Sequence, residues 1–90
     1  MNLEKYEQRL RALPCIVGVK MGMSCKCEEL HHAGDADERN DWAQVPLCYE
    51  HHQGETGVHG LHRRTFHMRY KLTDVQMLAI TRELYARKYE

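Results

Sequence analysis

From Val45 to Gly60 the chain reads VPLCYEHHQGETGVHG, one cysteine and three histidines within sixteen residues of a 90-residue protein. That density constrains what the chain can become. A domain this small buries a modest apolar core, and small domains often add a disulfide or a bound metal to offset the deficit. Cys48, His51, His52 and His59 are suitable ligands for a structural metal, a catalytic metal or both. A run of solvent-facing histidines with no ligand duty is the alternative.

The opening segment MNLEKYEQRL is charged from its third residue onward and lacks the apolar centre of a secretory signal. No apolar run approaches the length that spans a bilayer. A cytoplasmic, reducing setting with no membrane partner is the expectation, and there the four cysteines serve metal binding more readily than disulfides. Lys and Arg number 13, as do Asp and Glu, so net charge gives no general attraction to nucleic acid. The charges are nevertheless segregated. Residues 24–56 carry Glu28, Glu29, Asp35, Asp37, Glu38, Asp41, Glu50 and Glu55 against Lys26 and Arg39. Residues 57–72 carry Arg63, Arg64, Arg69 and Lys71 and no acid. The second segment can form a phosphate-facing strip or a solvated helix face.

No repeat, linker or low-complexity tract divides the chain, so residues 1–90 read as one α+β domain. Leu3, Tyr6, Leu10 and Leu13 recur at helical spacing, which predicts an amphipathic helix over residues 2–13 that stops at Pro14. CIVGVKMGMSCKCEEL reads as short extended pieces with turns at Gly18 and Gly22, AGDADERND as a polar loop, and WAQVPLC as a second extended run in which Pro46 requires an edge or an end. A helix is expected from Cys48, broken near Gly54 and Gly57 and resumed at about Leu61, with Phe66 and Tyr70 facing inward. Thr73 and Gln76 form a capping-box pair opening a last helix that runs to about Tyr89. Its apolar positions Val75, Leu78, Ile80, Leu84 and Tyr85 are expected to face the core, with a dimer surface as the alternative for part of the stripe.

Two adjacent histidine pairs, His31–His32 and His51–His52, carry the chemistry. On a strand, neighbours point to opposite sides, so one imidazole can face a metal while the next faces a substrate. Imidazole suits both tasks, as the commonest metal ligand and as a general base near neutral pH.

Taken together, LPCIVG, ELHHAG, DWAQVPLCYEHHQG, GVHGLHRRTF and RYKLTDVQMLAITREL resemble the HNH (ββα-metal) endonucleases, and within them the phage recombination-enhancement (RecA-dependent) nuclease family. The resemblance covers nearly all of the chain from Leu13 onward. It implies a small ββα-metal core with an N-terminal helix and a long C-terminal helix. It also implies a phage-encoded enzyme of low sequence specificity that hydrolyses DNA phosphodiester bonds in the cytoplasm of a bacterial host. By the family pattern His32 is the general base and His31, His52 and His59 hold one divalent ion. Mg²⁺ or Mn²⁺ would be the working metal, while Zn²⁺ or Ni²⁺ would bind three imidazoles tightly in a purified sample. Arg63, Arg64 and Lys71 would contact DNA phosphates. A recombinase filament, or another phage or host protein, is the implied further partner.

Three features need weighing against the family. The first is that His52 and His59 stand seven apart with Gly54 and Gly57 between them, a spacing met either by an unbroken helix or by a turn at the glycines. Many HNH enzymes place an asparagine where Ala43 stands, and Asn40 or Asp41 is the nearest substitute. Many relatives also hold a structural zinc with two Cys-x-x-Cys-like pairs, but here Gly18 replaces the second cysteine of the first pair. Cys15, Cys48 and His51, completed by Cys25 or Cys27, remain the candidate set for a structural Zn²⁺. Glu29 reads as an exposed strand residue or as a carboxylate orienting a histidine ring. His62 and His67 read as solvent-facing. The rival readings are a non-catalytic zinc-binding module and an inactive HNH-fold protein that binds nucleic acid or a host protein.

Overall fold

The computed structural model describes residues 1–34 and 40–90. The acidic residues Asp35, Asp37 and Glu38, assigned above to a solvated loop, lie outside them. The elements follow the order α1 (Leu3–Arg11), α2 (Ile16–Met21), β1 (Glu29–His32), β2 (Gln44–Leu47), α3 (Tyr49–His52), α4 (Val58–Leu61), α5 (Arg63–Tyr70) and α6 (Asp74–Tyr89). No helix among the described residues is long and apolar enough to cross a membrane.

The first helix forms where its periodicity places it. The Asn2 side chain accepts from the Lys5 amide to cap it, and Leu10 is its fully buried residue. The next segment corrects the expectation of extended pieces. Ile16–Met21 is a helix, closed by Gly22 in the left-handed region at φ 72°. Its β-branched residues favour strands intrinsically, but Ile16 and Val17 are both completely buried here, and burial outweighs a propensity difference of under about 1 kcal/mol. After Gly22 the chain turns back, and the Cys15 amide donates to the Cys25 carbonyl at 3.0 Å.

β1 and β2 form an antiparallel pair with Glu29 opposite Leu47, Leu30 opposite Pro46, His31 opposite Val45 and His32 opposite Gln44. In a two-stranded sheet both strands are edges, which is where Pro46 is tolerated. One core joins Ile16, Val17, Val45, Leu47, Phe66, Leu72 and Met77. A second, smaller cluster joins Leu10 and Leu13 to Tyr85. Phe66 and Tyr70 face inward as expected, with ring centroids 4.9 Å apart.

The capping box is present in full: Thr73 Oγ1 accepts from the Gln76 amide, and Gln76 Oε1 accepts from the Thr73 amide. The inward face of α6 is set by Met77, Thr81 and Tyr85, with Leu78, Ile80 and Leu84 half-buried against the core. Val75 does not belong to that face and is 76% exposed. It precedes Met77 by two residues, which turns it about 200° around the helix axis.

Candidate metal centres

The helical segment after β2 is broken into α3 and α4, and the break brings His52 and His59 together. Glu50 Oε2 accepts from both the amide and the hydroxyl of Thr56, folding residues 53–57 back on α3. A side chain on Gly60 would collide with the Gly54 carbonyl, and one on Gly57 would stand 2.5 Å from the Glu50 carbonyl oxygen. Only glycine lets the two short helices approach this closely. His52 Nε2 and His59 Nε2 consequently lie 3.2 Å apart.

His31 enters from β1, its ring centroid 5.2 Å from that of His52 and 5.5 Å from that of His59. One nitrogen from each of the three rings fits within a sphere of contacts no longer than 4.8 Å. Two nitrogens each about 2.1 Å from one ion sit about 3.0–3.4 Å apart in octahedral or tetrahedral geometry, and the His52–His59 separation falls in that interval. The chemistry of the set fits as well. Burial, reinforced by neighbouring His52, holds the His31 pKa down to about 4, so its ring is neutral with a lone pair available at neutral pH. His59 is lowered too, first by burial and then by His52. His52 Nδ1 lies 2.8 Å from Glu29 Oε1, which fixes Nδ1 as the protonated nitrogen and leaves Nε2 facing the cluster. Glu29 also accepts from Gln53 Nε2, and it acts as the orienting carboxylate rather than as an unengaged strand residue. Its partner is 23 positions away, which no local spacing reveals.

His32 points away from this cluster, as alternation on β1 requires. Its Nε2 lies 3.0 Å from Asp41 Oδ1, at a half-buried position. Where the family pattern has asparagine, Ala43 joins the hairpin through its backbone, accepting from the Ala33 amide and donating to the Asn40 carbonyl. Asn40 Oδ1 accepts from the Trp42 amide and so closes the turn into β2. Asn40 thus holds the turn, and Asp41 touches His32.

A second cluster assembles Cys15, Cys25, Cys48 and His51. Cys48 Sγ, Cys15 Sγ and Cys25 Sγ lie 3.2, 3.6 and 3.9 Å from His51 Nδ1. Sulfur at about 2.3 Å and nitrogen at about 2.0 Å from a tetrahedral zinc stand about 3.5 Å apart, which these distances bracket. The cluster is therefore a Cys₃His set that could bind a metal such as zinc. Cys27 is not part of it; its thiol donates to the Glu29 carbonyl at 3.3 Å. All four cysteines are free thiols. Burial, reinforced by Cys15 and Cys48, pushes the Cys25 thiol up to about 12, and burial raises Cys48 as well. Tyr70 closes the site from α5, its ring edge-on to His51 at 5.6 Å and its hydroxyl donating to the Thr56 carbonyl.

The expected DNA-contacting residues separate. Arg64 and Lys71 are exposed, and Lys71 ends α5 in the left-handed region at φ 54°. Arg63 is ion-paired with Asp74 at 2.7 Å. The buried Asp74 carboxylate also lies 3.1 Å from His67 Nε2 and accepts from the Gly34 amide, so it ties α5, α6 and the end of β1 to one point. His67 is thus engaged with Asp74 rather than simply solvent-facing. Arg63, Arg64, His67, Met68 and Thr73 line a surface concavity of about 510 Å³. His62, exposed between α4 and α5, adopts φ 67° and ψ 149°, a conformation that glycine populates far more readily. No protein-family model, curated protein or solved structure matches this chain.

Proposed function

We propose that the chain is a metal-dependent HNH-type endonuclease that hydrolyses DNA phosphodiester bonds with little sequence specificity. The observation that carries the reading is the convergence of His31, His52 and His59 from a β-hairpin and the two following short helices, with His32 beside them on the opposite strand face. Three imidazoles leave coordination positions for water and a phosphate oxygen, as a hydrolytic metal requires. A divalent ion there, Mg²⁺ or Mn²⁺, would stabilise the charge that gathers on the phosphate and on the departing 3′ oxygen. His32 takes a proton from the attacking water as oxygen bonds to phosphorus and the P–O3′ bond breaks. Asp41, in contact with Nε2, holds that ring so that Nδ1 is the nitrogen receiving the proton. Arg64 and Lys71 supply phosphate contacts that position DNA without reading its sequence.

The test is plasmid nicking by wild type and His32→Ala, each chelated and then restored with Mg²⁺, Mn²⁺ or Ni²⁺, with and without a DNA-bound recombinase filament. Wild type should nick only when metal is restored, whereas His32→Ala should be inactive but still bind metal. No metal-dependent nicking by wild type in any arm would overturn the reading. A second reading, a non-catalytic zinc-binding module for nucleic acid or protein, is favoured by the Cys₃His set, the more complete of the two clusters. It requires His32→Ala to bind its partner as well as wild type does.

A further inference from the structure

His51 and His52 are consecutive residues of one short helix, yet they belong to different clusters: His51 to the Cys₃His set and His52 to the three-histidine set. Successive residues of a helix diverge by about 100°, so a single turn can present one ring to each side. α3 has four residues and cannot sustain itself, because helix nucleation is unfavourable in so short a segment. Its N-cap residue, Cys48, makes no side-chain capping bond. On one side α3 is held by Glu28, which accepts from the Tyr49 amide, and by the Glu29–His52 contact. On the other side Cys48 and His51 face Cys15 and Cys25 from a segment more than twenty residues earlier, with Tyr70 edge-on to His51, while Glu50 ties the turn to Thr56.

We propose that metal loading of the Cys15–Cys25–Cys48–His51 cluster sets the metal affinity of the His31–His52–His59 cluster, with α3 as the coupling element. The proposal rests on reading both clusters as metal sites. An ion bonded to Cys48 and His51 on α3 and to Cys15 and Cys25 outside it fixes the rotation of that turn about its axis. Any rotation that withdraws His51 carries His52 with it, away from His59 and His31. A thiolate-rich set selects Zn²⁺, whereas the imidazole set with its open positions also accepts harder ions, so the two sites can be loaded separately. Coupling of this kind is reciprocal: the factor by which zinc strengthens binding at the histidines equals the factor by which that second ion strengthens zinc binding.

The experiment uses the full chain, Zn²⁺ and Mn²⁺, and no DNA. Mn²⁺ binding is followed by the electron paramagnetic resonance signal of the free ion and assigned to the histidine cluster by its loss in His59→Ala. Wild type carrying one equivalent of zinc should bind Mn²⁺ on the order of tenfold more tightly than zinc-stripped wild type or Cys25→Ser. Cys27→Ser, altered outside the cluster, should behave as wild type. In chelator competition, saturating Mn²⁺ should raise the zinc affinity of wild type by the same factor, a comparison that stands even if Cys25→Ser does not fold. Equal Mn²⁺ affinity with and without zinc would overturn the proposal. So would loss of the α1–α6 contacts on zinc removal, read from amide spectra, because wholesale unfolding would then replace coupling through α3. Failure of the nuclease reading would appear only in the nicking assay and leave these readouts unchanged.

Discussion

The thiol of Cys25 occupies the space that a side chain at Gly18 would need: a β-carbon on Gly18 would stand 2.6 Å from Cys25 Sγ and 3.1 Å from the Met23 carbonyl oxygen. The position at which a Cys-x-x-Cys pair would supply its second sulfur is therefore filled by a sulfur from seven residues further on. Gly18→Ala should displace Cys25 from the Cys₃His set and lower zinc affinity by at least tenfold while helix content is kept. Competition with a chromophoric chelator measures this, and wild-type affinity in Gly18→Ala would refute the account.

Zinc uptake should be strongly pH-dependent. With the Cys25 thiol pushed up to about 12 and Cys48 also raised, both of these thiols keep their protons in the free cluster at neutral pH. Zinc must displace those protons, so its affinity should rise with pH and its binding should release protons. Calorimetry in buffers of different ionisation enthalpy counts them. An uptake near pH 7 that releases none would contradict the protonated Cys25 and Cys48 thiols.

Glu29→Ala should weaken metal binding at the three histidines by about 10- to 100-fold, the usual effect of removing a carboxylate behind a histidine ligand. Glu29→Gln, which keeps an oxygen acceptor opposite His52 Nδ1, should recover part of the loss. Manganese titration of the zinc-loaded variants decides between this orienting role and simple surface exposure.

Stability of the chelated protein should fall as pH is lowered from about 6.5 to about 4. The folded state holds the His31 pKa at about 4, whereas an unfolded chain takes up that proton near 6.5. Between those values the unfolded state binds more protons, so acidification favours it, and the effect levels off below about pH 4. The span corresponds to on the order of 3 kcal/mol. Urea unfolding across the window measures it, and in His31→Gln the pH dependence should be reduced.

Asp74→Ala should destabilise the fold by about 2 kcal/mol or more, because it strips Arg63, His67 and the Gly34 amide of their common acceptor. Thermal unfolding checks this. A change near zero would mean that water replaces the carboxylate without loss.

Features determined by near neighbours were legible in the sequence, and features determined by distant ones were not. The Thr73–Gln76 box and the stripe of α1 depend on residues three or four apart, and both stand where their spacing puts them. The glycine-marked break between His51–His52 and His59 was readable because close backbone approach leaves a compositional trace. The helix at Ile16–Met21 was not, since burial against β2 and Phe66 overrides the strand preference of its side chains. Nor did spacing choose between Cys25 and Cys27. That choice follows from the pairing of Cys15 with Cys25 across the turn, which leaves Cys27 pointing to Glu29.

The contact between α1 and α6 bears on how the chain assembles. Leu10 and Leu13 are covered by Tyr85, Arg9 Nη1 donates to the Tyr85 hydroxyl, and Lys88 Nζ donates to the Ala12 carbonyl. A ribosome releases α1 long before α6. The hairpin reaches α1 first, through Leu30, and only the part of the α1 stripe that meets Tyr85 waits uncovered through the synthesis of both histidine pairs and all four cysteines. Metal can engage the thiols during that interval, before the last helix arrives to close the fold over α1.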